Sequence, residues 1–294
     1  MLTITNSQFT ATINPLGAEL TTLTRNADGR NYIWADADGR YWSRHAPILF
    51  PSIGRSNSDE YVLDGQTYPM RQHGFARDFT FDTITPNAAD SVNLTLHATP
   101  ETKQLFPFDF ALTITYTLTA TGLQVEATVT NRNAVPARKM PFALGFHPGF
   151  ALTQPLDHYT VTLNGATTPV EAFGIGPVPF RDETLAPLAA AAGTTIPLSY
   201  ALLDDGLVIL DARTATSATL ATADGSHTVT IDLADFPYLT LWSPEHKQAP
   251  FICVEPFDGL PDQAGHPSNW LQKAGNTVLK GGDHKTVGFT LTLA

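Results

Sequence analysis

The sequence predicts an all-β protein, a large antiparallel β-sandwich, and three observations carry that expectation. The first is strict alternation. From Phe110 to Thr119, Leu112, Ile114, Tyr116 and Leu118 are interleaved with Thr113, Thr115, Thr117 and Thr119, a period of two that sends one face into a core and the other into water. The second is recurrence. The same pattern returns at Val92, Leu94 and Leu96, at Val125, Ala127 and Val129, at Val229, Ile231 and Leu233, and at Val287, Phe289, Leu291 and Leu293, as half-exposed antiparallel strands require. The third is composition. Charged residues are 15% of the chain against about 25% in an average domain, so Thr, Ser, Asn and Gln must supply most of the polar surface.

Turn signals separate the strands: Ala27-Asp28-Gly29, Leu63-Asp64-Gly65, Thr121-Gly122, Asn164-Gly165 and Asp224-Gly225, the last joining two β-rich runs as a hairpin would. More than a dozen candidate strands result. Helical signals are confined to a short turn at Glu101–Phe106 and another at Ser268–Lys273 with Ser268 as N-cap. The Pro/Gly-rich stretch Gly174–Pro179 and the alanine-rich Leu185–Gly193 read as a long connection, because the same alternation continues on both sides. One domain over residues 1–294 is therefore expected.

A 43% apolar fraction over 294 residues can bury a sizeable core, which excludes disorder. The single cysteine, Cys253, forbids an intrachain disulfide and Cys-rich zinc modules. The N-terminus MLTITNSQFT lacks a basic stretch followed by an apolar one, and with the lone cysteine this makes a cytoplasmic location the expectation. With 28 acidic and 17 basic residues the formal charge is −11, the wrong sign for neutralising phosphates, so nucleic acid and anionic membrane are not expected partners. Apolar runs such as Phe251 to Val254 fall far short of the roughly 20 residues that cross a bilayer. A monomer or a homodimer is expected, since exposed edge strands need covering.

Three segments break the alternation in ways core packing does not require. Leu49-Phe50-Pro51-Ser52-Ile53-Gly54-Arg55 and, further on, Gln72-His73-Gly74-Phe75-Ala76-Arg77 place Arg55 and His73 among Pro and Gly, where irregular backbone aims side chains at a site. Leu144-Gly145-Phe146-His147-Pro148-Gly149-Phe150 sets a histidine at a strand end, because Pro148 removes a ladder donor. Phe251-Ile252-Cys253-Val254-Glu255-Pro256-Phe257-Asp258-Gly259 is a buried strand that delivers a carboxylate, whose pKa burial raises and a neighbouring cation lowers. A solvated loop, a structural histidine and an edge salt bridge are the bland alternatives. A chain so poor in charge that nonetheless sets Arg, two His and Glu in apolar, Pro/Gly-punctuated contexts tilts the balance towards a site.

Taken in order, FPSIGR with Arg55, QHGFAR with His73, GFHPGF with His147, LDDGLVI with Asp205 and FICVEPFDGLPD with Glu255 resemble the aldose 1-epimerases, or galactose mutarotases, and their bacterial mutarotase-like branch, over essentially the whole chain. The resemblance implies a galactose mutarotase-like β-supersandwich and interconversion of the anomers of an aldohexose such as galactose or glucose. It implies Glu255 as general base and His147 as general acid, with Arg55, His73 and Asp205 binding sugar hydroxyls. It implies neither metal nor organic cofactor. Opening a pyranose hemiacetal removes the C1 hydroxyl proton and delivers one to the ring oxygen, so an acid and a base must flank the anomeric carbon. His147 must then carry a proton in the reactive complex, and a nearby carboxylate such as Glu255 would keep it charged. Asp204 and Asp211 stand close to Asp205 and remain alternatives to it.

Phe75, Phe146, Trp242 and Phe257 are candidate stacking surfaces for a sugar ring, with core packing the competing role. Three other functions are weighed. Zinc held by His73, His147 and Glu255 lacks any H-x-H or H-E-x-x-H spacing. A non-catalytic sugar-binding protein would not need both Glu255 and His147. A hexose 6-phosphate mutarotase would need several cations, for which Arg55, Arg71 and Arg77 are the nearby candidates.

Overall fold

The computed structural model describes residues 1–36 and 38–294. Among the described residues the strands assemble into two large antiparallel sheets of nine and eight strands, with a three-stranded sheet at the N-terminus and two short two-stranded pairs. The nine-stranded sheet has Gly122–Asn131 between Phe110–Leu118 and His284–Leu293. Its pairing sets Leu123, Val125, Ala127 and Val129 opposite Leu118, Tyr116, Ile114 and Leu112, so the alternating apolar residues share one buried face. On the outer face the threonines pair with one another: Thr95 with Thr113 at 2.9 Å, Thr128 with Thr286 at 2.8 Å and Thr219 with Thr230 at 3.0 Å. Hydroxyl ladders of this kind give a charge-poor chain its wet surface.

The eight-stranded sheet faces the nine-stranded one across a core that runs from Ile4 to Leu293. Phe146 meets Phe289 of the opposite sheet edge-on, ring centroids 4.9 Å apart. Within the eight-stranded sheet, Phe251–Asp258 is buried along its whole length. It lies between Tyr238–Trp242 on one side and the short strands Leu144–Phe146 and Gly149–Ala151 on the other. Its sequence does not alternate, because both faces are covered.

Two elements differ from their sequence reading. Ser268–Lys273 forms turns rather than a helix: the Val62 N–H donates to the Ser268 carbonyl at 2.9 Å and the Trp270 N–H to the Val62 carbonyl at 3.0 Å, while buried Trp270 stacks on Tyr61 with centroids 3.8 Å apart. Its backbone is committed to a neighbouring chain segment and cannot close a helical turn. The supposed long connection contains two strands, Glu171–Ile175 and Arg181–Pro187, paired at the edge of the eight-stranded sheet. Half-buried throughout, the first of them shows no inside-outside alternation. The turn at Glu101–Phe106 is a helix at Pro100–Leu105, opened by a reciprocal cap in which Thr99 accepts from the Thr102 N–H at 3.2 Å and Thr102 from the Thr99 N–H at 2.8 Å.

Candidate active site

A break in one strand brings the two central groups together. Gly145 pairs with Phe257 on one side of the break and Gly149 with Cys253 on the other, and the same antiparallel register carried between them sets His147 opposite Glu255. The ladder does not close there, because Pro148 has no N–H to give. His147 Nε2 lies 3.4 Å from Glu255 Oε2, and both residues are buried, with 7% and 2% of their surface exposed. The Pro47 carbonyl accepts from the His147 N–H at 3.1 Å. Buried Glu19 holds that segment in turn, accepting from the N–H groups of His45 at 2.6 Å and Ala46 at 3.1 Å.

The pair forms the floor of a cavity of about 340 Å³, large enough for a monosaccharide. Trp42 stacks on the His147 ring at a centroid distance of 5.0 Å and 28° between planes. Trp242 meets His147 edge-on at 5.6 Å, and its indole N–H donates to Glu245 at 3.1 Å. His73, Gln72 and Arg77 supply further polar lining, and Phe257, Pro261 and Leu207 supply apolar wall.

His73 approaches His147 edge-on, centroids 5.4 Å apart. Its backbone is in the left-handed region at φ 65°, a strained state for a side chain of this size that is kept only where surroundings over-determine it. They do so here. The His73 N–H donates to the Gly54 carbonyl at 2.8 Å, and the Gly54 N–H donates to His73 Nδ1 at 3.2 Å. Next to it, Gly74 at φ 71° passes so close to Phe50 that a Cβ would lie 2.2 Å from the Phe50 carbonyl oxygen.

Burial sets the electrostatics. It pushes the Glu255 carboxyl well above its usual range and His147 down to about 3. It also holds His73 well below the ordinary imidazole value, with His147 and Arg77 adding repulsion. Burial thus drives both members of the pair towards their neutral forms, with one proton held between them.

His73, His147 and Glu255 are brought together as the sequence reading expects; Arg55 and Asp205 are not among the cavity-lining residues. Arg55 is half exposed and forms an ion pair with Asp59 at 3.2 Å, since the chain turns through Gly54 at φ 68° and continues along the surface. Asp205 is exposed beyond the short helix Tyr200–Leu203. Its alternatives are engaged elsewhere: Asp204 accepts from the His246 N–H at 2.6 Å and Asp211 is paired with Arg213. The lining guanidinium is Arg77, partly buried and held by the Gln72 carbonyl at 2.8 Å. Trp242 and Phe257 line the cavity, while Phe75 and Phe146 belong to the core. Trp42, Gln72 and Glu245 went unselected in the sequence; only the Pro244 turn two residues after Trp242 marks the last of them.

Comparison with known proteins identifies the family to which this fold belongs. The model of the aldose 1-epimerase family matches residues 1–289, and the chain belongs to that family. A crystal structure of a galactose mutarotase-like protein from Lactobacillus casei ATCC 334 superimposes with a TM-score of 0.95 at 50% identity, covering 100% of both chains. A galactose mutarotase related enzyme from Lactobacillus acidophilus gives a TM-score of 0.90 at 28% identity, covering 100% of this chain and 97% of that one. The chromosomal protein LacX of Lactococcus lactis subsp. lactis is 30% identical over 269 residues, 87% of this chain and 86% of LacX.

Proposed function

We propose that the protein interconverts the α and β anomers of a free aldohexose such as galactose or glucose, with Glu255 as general base and His147 as general acid. The observation that supports this reading most is the 3.4 Å separation of His147 Nε2 and Glu255 Oε2 on the cavity floor. The two oxygens that exchange protons in mutarotation, the C1 hydroxyl and the ring oxygen, are bonded to the same carbon, so acid and base must be close neighbours.

One proton shared by the pair suffices. In the reactive arrangement Glu255 takes the C1 hydroxyl proton while His147 gives its own to the ring oxygen; the C1–ring oxygen bond breaks and an open-chain aldehyde forms. The pair still holds one proton, now on Glu255. Rotation about the C1–C2 bond presents the other carbonyl face, and the reversed transfers close the opposite anomer. Low dielectric on the floor suits such a cycle, since the pair begins and ends with the same net charge. Trp42 and Trp242 offer apolar surface to the C–H face of the ring, while Arg77, Gln72, His73 and Glu245 offer donors and acceptors to hydroxyls.

A neutral sugar suits the cavity better than a phosphorylated one. Among the described lining residues Arg77 is the one arginine or lysine, and Glu245 and Glu255 oppose it. Magnetisation transfer between anomeric proton signals, recorded for galactose, glucose and glucose 6-phosphate at equilibrium, tests both statements. Faster exchange for a free hexose supports the proposal, exchange for the phosphate alone transfers it to phosphorylated sugars, and no exchange for any of the three refutes catalysis on aldohexoses of this kind.

A further inference from the structure

One cysteine stands directly beneath the floor pair. Cys253 precedes Glu255 by two residues on the same strand, so both side chains leave the same face of the sheet, and Cys253 is fully buried among Trp34, Trp42 and Trp242. One ligand-type atom each from His147, Cys253 and Glu255 lies within 4.8 Å of the others. Two polar atoms of this group, Glu255 Oε1 and His147 Nδ1, are buried without a hydrogen-bond partner, an expense that proteins rarely leave standing.

We propose that His147, Cys253 and Glu255 form a binding site for a thiophilic divalent cation, zinc foremost, and that its occupation switches the anomer-exchanging site off. Sulfur, imidazole nitrogen and carboxylate oxygen are the donor set zinc takes. Atoms bonded to one zinc at about 2.0–2.3 Å stand roughly 3–4 Å apart, which small side-chain rotations reach from the present spacing. A thiolate, a carboxylate and a neutral imidazole also balance a double positive charge, so the filled site is neutral where burial demands it. The cavity supplies access from above and leaves the fourth coordination position to water. A bound cation takes up lone pairs of Glu255 and His147 and so removes the groups on which the proton transfers depend. The binding is independent of the reaction assigned above; the inhibition rests on it.

Cobalt(II) is the probe, because a cysteine ligand gives a thiolate-to-cobalt charge-transfer band in the near ultraviolet. The expected result is that band with one equivalent of cobalt on the intact protein, its loss on adding zinc, and its absence in Cys253→Ala. Zinc is expected to slow anomer exchange by the wild type, while Cys253→Ala keeps the metal-free rate and tolerates at least about tenfold more zinc. Glu255→Gln, which leaves the thiol in place, is expected to weaken cobalt binding by about as much. No thiolate band in the wild type overturns the site, even for a protein that proves inactive. Equal zinc sensitivity of wild type and Cys253→Ala overturns the switch.

Discussion

The Trp42 indole lies over the His147 imidazole at 5.0 Å, 28° from parallel, and so fixes the plane in which Nε2 faces Glu255. His147 follows a strand break and has no ladder partner to orient it; its ring is held by packing. Trp42→Ala is therefore expected to lower kcat by roughly ten- to a hundredfold, with Trp42→Phe retaining most of the rate. Anomer-exchange rates of the two variants, with folding checked by circular dichroism, decide the point.

The floor pair acts as a unit. Glu255→Gln and His147→Asn are each expected to lower kcat by roughly 10²–10⁴-fold, and the double variant is expected to be little worse than either, because losing one proton-transfer partner idles the other. Multiplicative losses in the double variant would show two independent contributions instead.

How much of this was legible in the sequence depends on what each residue answers to. The strands around Phe110–Leu118 were legible because one wet face imposes a period of two, whereas Glu171–Ile175 was not, because a half-buried edge imposes none. His147 and Glu255 stood out because each stands beside a proline in an apolar, strand-like run. That Arg77 rather than Arg55 lines the cavity was hidden for a related reason. Arg55 and Arg77 both sit in Pro/Gly-punctuated loops, and which one faces inward is decided by the ion pair to Asp59 and by packing of the Arg77 segment against Gly17, contacts between segments that no local pattern encodes. Trp42 belongs to a stretch without alternation whose place over His147 follows only from the folded chain.

That assignment of arginines is open to a direct comparison. Arg77→Met is expected to raise KM for the sugar by about tenfold or more, through lost hydrogen bonds from a charged donor, while Arg55→Ala should change kcat/KM by less than about twofold. The opposite order would restore Arg55 to the site.

Gly74 is expected to tolerate no side chain. Gly74→Ala adds a Cβ at 2.2 Å from the Phe50 carbonyl oxygen in a left-handed conformation, and should cost at least about 3 kcal/mol of stability. Denaturant unfolding at neutral pH measures it, and a loss below 1 kcal/mol, roughly the strain of the backbone alone, would show that the loop carrying His73 yields readily.

Acid stability has a separate source. His227 is buried against Tyr159, whose hydroxyl lies 2.8 Å from its Nδ1, and burial, then the nearby Arg30 and Arg25, push it down to about 4. In the unfolded chain it protonates near 6.5. The unfolded state therefore binds more protons between these values, and stability present above pH about 6.5 is lost as pH falls towards 4, by up to about 3 kcal/mol from this residue. His227→Gln is expected to flatten that part of the stability-against-pH curve; an unchanged slope would assign acid sensitivity to other groups.

The most direct test of the central claim is the optical rotation of freshly dissolved α-D-galactose and α-D-glucose, followed with the wild type, Glu255→Gln and His147→Asn against spontaneous mutarotation. Acceleration by the wild type that vanishes in both folded variants is the expected result. Undiminished acceleration in either variant would remove that residue from the proton transfers, and no acceleration by the wild type with either sugar would contradict the assignment of aldohexose mutarotation to this cavity.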